Sequence, residues 1–431
     1  MNNRRPKLDW VWRCLQFSVL ALPLFPALGE VGLAVVLVWV WRSRYRQIIR
    51  FPLNWGLAVL SIWLIVCSLF AYRPLESWLG LANFLPFFAL FAALNVLIKR
   101  SHQLRQLARL LVIPSPAIVI LGLGQLYLGW QTPSWWQTIF GWGLVAVGEP
   151  AGRMSSVFIY ANFLAVYLTT AFTLCLGLWL ETWQRWRSKR TSRSGWILFA
   201  LTAILLINSV GLVLTSSRNA WGIAFFSAIA FAMYAGWRWL VGSIAAIVTV
   251  ICWAAFVPNW GGIWWRKIVP VFIWARLSDR MYPDRPVETL RLTQWRFCWN
   301  LIKERPVIGW GLRNFTPLYE AKMNVWFGHP HSLPLMLATE TGIVGTLLLL
   351  SIVGWVMAKA IWLLKEPKKT IVSGEHSILF TYMVAFSGII LFNLFDVTIF
   401  DLRVNTIGWI LFSAISGVVF KSERSSDRSV R

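Results

Sequence analysis

The chain holds four histidines, and two of them stand together in His329-Pro330-His331-Ser332. Ser332 suits a helix N-cap and Pro334 suits a first turn, which puts His331 just ahead of the positive end of a helix. That field disfavours imidazolium, and a neutral ring is the form a general base needs. Arginines recur at other outward positions. Arg218 lies in Thr215-Ser216-Ser217-Arg218-Asn219-Ala220-Trp221-Gly222, Arg291 stands four residues before Trp295 with Arg296 beside it, and Arg153 precedes Asn162 by nine residues. Guanidinium groups hold diphosphate oxygens through paired, charge-assisted hydrogen bonds. A site that combined them with a neutral His could bind a diphosphate and take a proton from an attacking hydroxyl. Each feature also has a plainer reading. Arg218 can snorkel to an interface, Arg291 and Arg296 can form a solvated helix face, Asn162 can join two helices, and His331 can rest at an interface.

What is missing narrows the chemistry. The outward loops carry no Asp-x-Asp, no HExxH and no Cys/His cluster, so no metal site is legible. No Walker A or Rossmann glycine pattern occurs in a strand–helix setting. No cofactor is expected, and the driving energy has to come from an activated donor. Cys14, Cys67, Cys175, Cys252 and Cys298 are scattered without CxxC spacing, and no disulfide is expected.

The elements that must position these residues are membrane helices. The sequence is 58% hydrophobic and only 13% charged, against about 25% charged in a soluble domain, and its mean hydropathy is +0.61. Apolar runs long enough for a bilayer core recur from end to end. They predict an all-α polytopic fold of about 12 spans, near residues 11–27, 29–41, 54–71, 80–98, 108–129, 157–180, 195–214, 219–236, 239–257, 332–358, 377–394 and 404–420. The first run is broken by Pro23 and Pro26 and leads straight into a second, so no cleavable signal peptide is expected. The division that follows is 1–257 as about nine spans, 258–330 as a long periplasmic segment, and 331–431 as about three spans.

The net charge of +24 invites a nucleic-acid reading, but the distribution opposes it. Lys and Arg crowd one set of loops, as in Arg42–Arg50, Lys99–Arg109 and Arg185–Arg193, while the short opposite loops hold only Arg73, Arg153, Arg218 and Arg403. That asymmetry is topology signal. It places both termini in the cytoplasm and makes membrane lipid, not nucleic acid, the partner. Many of the 30 Trp stand at span ends, as interfacial anchors do.

Two outer segments exceed simple turns. Trp130–Ser156 is rich in Trp, Gly and Pro. Pro258–Pro330 is longer and amphipathic, and its cations outnumber Asp279, Asp284, Glu288, Glu304 and Glu320. Within it Leu290–Arg305 reads as a helix with Trp295, Cys298, Trp299 and Ile302 on one face. Pro306 ends that helix, and Gly309 and Gly311 form a turn. The segment could simply cap the membrane surface, and a cap can also cover a site.

The C-terminal half resembles the O-antigen ligase/polymerase family. The matching text is RMSSVFIYANFLAVYL, SSRNAWG, RLTQWRFCWNLIKERPVIGWGLRNF and HPHSLPLMLATETGIVG. The last fits the ligase pattern of His, a small polar residue, nine residues, Gly, two residues, Gly, here His331, Ser332, Gly342 and Gly345. The resemblance covers roughly residues 150–350, and earlier residues agree in hydropathy only. It implies Arg218 and Arg291 as the pair holding a donor diphosphate, and His331 as the base. Arg153 and Asn162 match a family motif that lines the site. Arg296, His329 and Glu340 are added from position alone, and a buried Glu340 would need a partner.

The implied reaction is metal-independent, inverting transfer of a glycan from undecaprenyl diphosphate to a hydroxyl on the periplasmic face. Aromatic-rich spans would hold the lipid tail. Lipid A–core is the acceptor if the protein is a ligase, and a second lipid-linked glycan or a protein if it is a polymerase or another transferase. Some cyanobacterial relatives are labelled bicarbonate transporters, which leaves an anion carrier as the reading from another class. A carrier should show inverted repeats and helices broken at the midplane, and no convincing internal repeat is visible.

Overall fold

The computed structural model describes residues 6–278, 286–365 and 373–429; Asp279 and Asp284 of the outer segment lie outside that range. Every regular element among the described residues is helical. The first half runs α1 (Pro6–Ala21), α2 (Pro26–Ile49), α3 (Pro52–Leu69), α4 (Pro74–Gly80), α5 (Leu85–Leu97), α6 (Ser101–Val112), α7 (Ser115–Tyr127) and α8 (Ser134–Phe140). Then come α9 (Ala161–Lys189), α10 (Ser192–Leu214), α11 (Arg218–Tyr234) and α12 (Arg238–Phe256). The outer segment supplies α13 (Ile263–Ile268), α14 (Val271–Leu277), α15 (Arg291–Glu304) and α16 (Phe315–Met323). The chain closes with α17 (Leu333–Lys365), α18 (Ser373–Asn393) and α19 (Leu402–Ser429). Proline opens α2, α3, α4, α5 and α7 within their first two residues, where its missing N–H costs nothing and its fixed φ suits a helix.

Ten stretches are long and apolar enough to cross a bilayer, so the chain is an all-α polytopic membrane protein. The two other expected spans form α1 and α11, of 16 and 17 residues. Burial sorts the helices into layers. The apolar windows of α9, α18 and α19 are 78%, 72% and 78% buried within the protein, against 17% for α10 and 11% for α12. The first three form the centre, and α10 and α12 turn most of their surface to lipid. Short polar side chains join the central helices: Asn95 Nδ2 donates to Ser416 Oγ at 2.8 Å, and Tyr382 Oη donates to the Leu104 carbonyl at 2.8 Å. In hydrocarbon such groups have no water to turn to.

α17 departs from the single uninterrupted helix expected. Gly342 has φ 70° and ψ 175°, a conformation open essentially to glycine alone. The loop after α15 fills the break. Ile343 N donates to the Pro306 carbonyl at 2.8 Å, Trp310 N to Thr339 at 3.0 Å, and Gly311 N to Glu340 at 2.8 Å. Trp63 Nε1 takes the Thr341 carbonyl at 2.9 Å. The Thr339, Glu340 and Thr341 carbonyls and the Ile343 amide thus gain protein partners, as irregular backbone at membrane depth requires. A Cβ on Gly342 would run into the Val307 carbonyl, and one on Gly309 would come within 2.6 Å of Gly342 N. This fit ties the outer segment to the start of α17, the element that follows His331.

α15 forms where expected, but its inner face is rotated. Gln294, Phe297, Cys298, Leu301 and Ile302 are buried, whereas Trp299 is exposed. The correction has a clear cause. Trp295 leans across to donate Nε1 to the Pro330 carbonyl at 3.0 Å, and Phe297 packs with Phe315 and Tyr319 of α16. The apolar partners are therefore α16 and α17, with Leu335 of α17 packed on the same cluster, which the spacing of tryptophans could not reveal.

Candidate active site

Five segments converge on one cavity of about 410 Å³. The loop before α9 brings Arg153 and Tyr160, and the first turn of α9 brings Asn162. The α10–α11 turn brings Ser216, Ser217, Arg218 and Asn219, the end of α14 brings Arg276, the start of α15 brings Arg291, and His331 comes from the turn before α17. Four guanidinium groups line this space, with no carboxylate among the described lining residues.

Local geometry holds these groups in place. Arg218 donates Nη1 to the Arg276 carbonyl at 2.9 Å, and Arg276 donates Nε to the Ser216 carbonyl at 2.8 Å. The two arginines thus clasp α14 to the α10–α11 turn. Arg153 donates Nε to Thr215 O at 2.8 Å and Nη2 to Asn162 Oδ1 at 2.6 Å. Asn162 passes the chain on, donating Nδ2 to Asp396 Oδ2 at 2.6 Å. The other oxygen of Asp396 lies 3.4 Å from Nδ1 of His331 and accepts from Val397 N at 2.9 Å. One continuous polar path therefore joins an arginine of the cavity to the histidine at its edge.

His331 sits in the left-handed region at φ 52°, and Ser216, two residues before Arg218, does so at φ 50°. Neither is glycine, and such conformations persist only where the surroundings enforce them. Met336 N donates to the Ser332 carbonyl at 2.9 Å, so α17 begins directly after His331. His331 N in turn donates to Nδ1 of His329 at 3.2 Å, which fixes that nitrogen as an acceptor.

Burial pushes the His329 ring down to about 4, and the charges of His331 and Arg291 push the same way against the pull of Asp396. His329 is therefore neutral near pH 7. Burial pushes the Asp396 carboxyl up, but the His331 hydrogen bond, the charges of His329 and His331 and the Val397 amide outweigh it. The net direction is downward, so Asp396 is ionised.

A second cavity, of about 750 Å³, shares Tyr160 and His331 with the first and is bordered by His329 as well. Two expected site residues line neither space. Arg296 is exposed on the outer side of α15. Glu340 is buried behind the site, where its Oε1 accepts from Phe315 N at 3.3 Å. That bond is the partner its burial demanded, and it serves the packing of α16 on α17.

Two residues escaped the sequence reading. Arg276 looked like any cation of a basic amphipathic segment. Asp396 lies 65 residues after His331, in the short loop between α18 and α19. Its signal was an acid at the outer end of two apolar runs, where a charge needs a partner. Asp396 also alters the metal reading: His329, His331 and Asp396 offer ligand atoms within 4.8 Å of one another, a nitrogen–oxygen set that could close on a divalent cation. Local spacing could not show it.

A family model described as O-antigen ligase matches residues 203–350. That stretch contains Arg218, Arg276, Arg291 and His331, and leaves out Arg153, Asn162 and Asp396. No curated protein matches the chain. From the bundle and that match together, the chain is a multi-pass membrane protein whose residues 203–350 are similar to the O-antigen ligase family.

Proposed function

We propose that the protein moves a glycan from undecaprenyl diphosphate to an acceptor hydroxyl at the outer face of the bacterial inner membrane. One observation carries the reading: four guanidinium groups, with no carboxylate among the described lining residues, surround a cavity that ends at a His–Asp pair. Arg218 and Arg291 hold the diphosphate, and Arg153 and Arg276 add positive charge for the further negative charge that the leaving group gains. His331 keeps Nδ1–H toward Asp396, which leaves Nε2 as the basic nitrogen. The acceptor O–H attacks the anomeric carbon and its proton passes to Nε2. The bond from that carbon to the phosphate oxygen breaks, and its electron pair leaves with the lipid diphosphate. Guanidinium groups stabilise that developing charge, so no metal is required. In-line attack inverts the anomeric centre.

The outer-face assignment draws on α9. Asn162 stands at its first turn, and Arg185, Arg187 and Lys189 stand at its far end. The cation-rich end is the cytoplasmic one, so the cavity opens on the opposite side and both termini are cytoplasmic.

Lipid A–core is the preferred acceptor, because His331-Ser332 and Gly342 follow the ligase spacing; a polymerase would use the same site with a second lipid-linked glycan. The arginine-lined cavity also suits an anion, and the broken α17 adds to the reading as a bicarbonate or other anion carrier, since carriers bind ions at unwound helices. The Thr339, Glu340 and Thr341 carbonyls and the Ile343 amide of that helix, however, already hold protein partners in Trp310, Gly311, Trp63 and Pro306, which speaks against an ion site at the break. The test is a proteoliposome assay with undecaprenyl diphosphate-linked glycan, with and without lipid A–core, beside bicarbonate uptake. Glycan transfer that needs lipid A–core supports the ligase reading. Transfer without it moves the protein to the polymerase group, and uptake without transfer overturns both.

A further inference from the structure

The cavity on the other side of His331 differs in chemistry from the arginine cavity. Its lining mixes both signs of charge: Arg73 and Arg313 stand among Glu76 and Glu320, and Arg313 Nε lies 3.6 Å from Glu76 Oε2. An anionic ligand would meet two carboxylates there. Sugar hydroxyls, which both donate and accept, find both kinds of partner. Aromatic surface completes the lining. Trp326 is 67% exposed, so the core does not account for its position, and Phe400 stacks on His329 with ring centroids 6.1 Å apart. Flat apolar rings beside a few polar groups suit the C–H faces and hydroxyl edges of a pyranose. The space of about 750 Å³ falls in the range that encloses a ligand of several rings.

We infer that this second cavity is the acceptor subsite and that it takes an uncharged sugar. The inference rests on the transfer reading above and adds to it the side of approach and the class of acceptor. A base must touch the attacking hydroxyl, and donor and acceptor must meet at it. His331 is one of two residues common to both cavities, so a donor held by the arginines leaves this cavity for the acceptor.

Trp326→Ala and Glu320→Gln, both at exposed positions, test the inference in the full-length protein in detergent. The probes are the source cell's lipid-linked glycan after mild-acid release and its deacylated lipid A–core, with and without phosphates. Saturation-transfer NMR reads their binding without turnover, and transfer kinetics read the two KM values. Trp326→Ala should raise the acceptor KM about tenfold, as loss of one aromatic contact does, with the donor KM unchanged and Trp326→Tyr restoring most of the effect. A rise in donor KM instead would reverse the two sides. Oligosaccharide binding untouched by either variant would overturn the cleft, whether or not transfer is seen. Binding that requires the phosphates would overturn the uncharged ligand. Binding that is lost in Trp326→Ala while the wild type transfers nothing would keep the sugar cleft and remove the transferase.

Discussion

The carboxylate of Asp396 lies 3.4 Å from Nδ1 of His331 and 2.6 Å from the Asn162 amide nitrogen, so a residue between α18 and α19 orients a ring that stands before α17. If His331 is the base, Asp396 sets its tautomer and stabilises the imidazolium formed during attack. Asp396→Asn keeps the shape and loses the charge. It should cut turnover by about 10²-fold or more while donor binding is kept, because the arginines hold the diphosphate. Unchanged turnover at matched membrane levels would leave Asp396 a packing residue only.

The two histidines should separate cleanly. His331→Ala should cost about 10²–10⁴ in turnover, the usual worth of a positioned base. His329→Ala should be much milder, since His329 borders only the second cavity. Equal and complete loss in both would mean that the pair acts as a unit, and activity in His331→Ala alone would show the base to be misassigned.

His329 also makes a pH prediction. Its folded value near 4 lies below the ordinary histidine value of 6.5. The unfolded chain therefore binds this proton below about pH 6.5 and the folded chain does not until about pH 4, so stability falls as pH drops through that window. Thermal unfolding in detergent should show the fall, and His329→Gln should flatten it. Asp396 does not confuse the window, because its folded value is depressed below the ordinary carboxylate range and its contribution is lost at lower pH. A variant curve parallel to the wild type from pH 6.5 to 4.5 would remove His329 as the source.

Replacement of arginine by lysine separates charge from the planar fork. Arg218→Lys and Arg291→Lys should each lose most transfer, at least about tenfold, because one ammonium cannot make paired bonds to a diphosphate. Arg276→Lys should also loosen the clasp to Ser216. Near-normal transfer in all three would return these residues to ordinary interfacial arginines.

Much of this was legible in the sequence, and the boundary has physical causes. Long apolar runs made the helices certain, because a bilayer leaves the backbone few alternatives. Arg153, Asn162, Arg218, Arg291 and His331 were each visible from a local pattern, and the structure gathers them around one cavity. Asp396, Arg276 and the second cavity were not visible, since each depends on which helix ends meet in space. Glu340 misled because position along α17 predicted inward facing, and the break at Gly342 lets Phe315 of α16 reach it instead. The face of α15 misled for the same kind of reason: tryptophan spacing reported aromatic content, and the partner helices decided burial.

The break in α17 supplies the last prediction. Gly342 combines a dihedral pair reserved for glycine with a contact that leaves no room for a Cβ. A non-glycine residue there would cost about 1–3 kcal/mol in backbone conformation alone, and the clash with Val307 adds to it. Relief by straightening α17 would expel Trp310 and Gly311 from the Thr339 and Glu340 carbonyls and shift the turn that carries His331. Gly342→Ala should therefore lower thermal stability in detergent and abolish transfer together. Gly354, on the same helix with nothing within 4 Å of where a Cβ would stand, is the control, and Gly354→Ala should be neutral or slightly stabilising through helix propensity. Normal stability and transfer in Gly342→Ala would mean that the kink is dispensable and that the outer loop does not position the base.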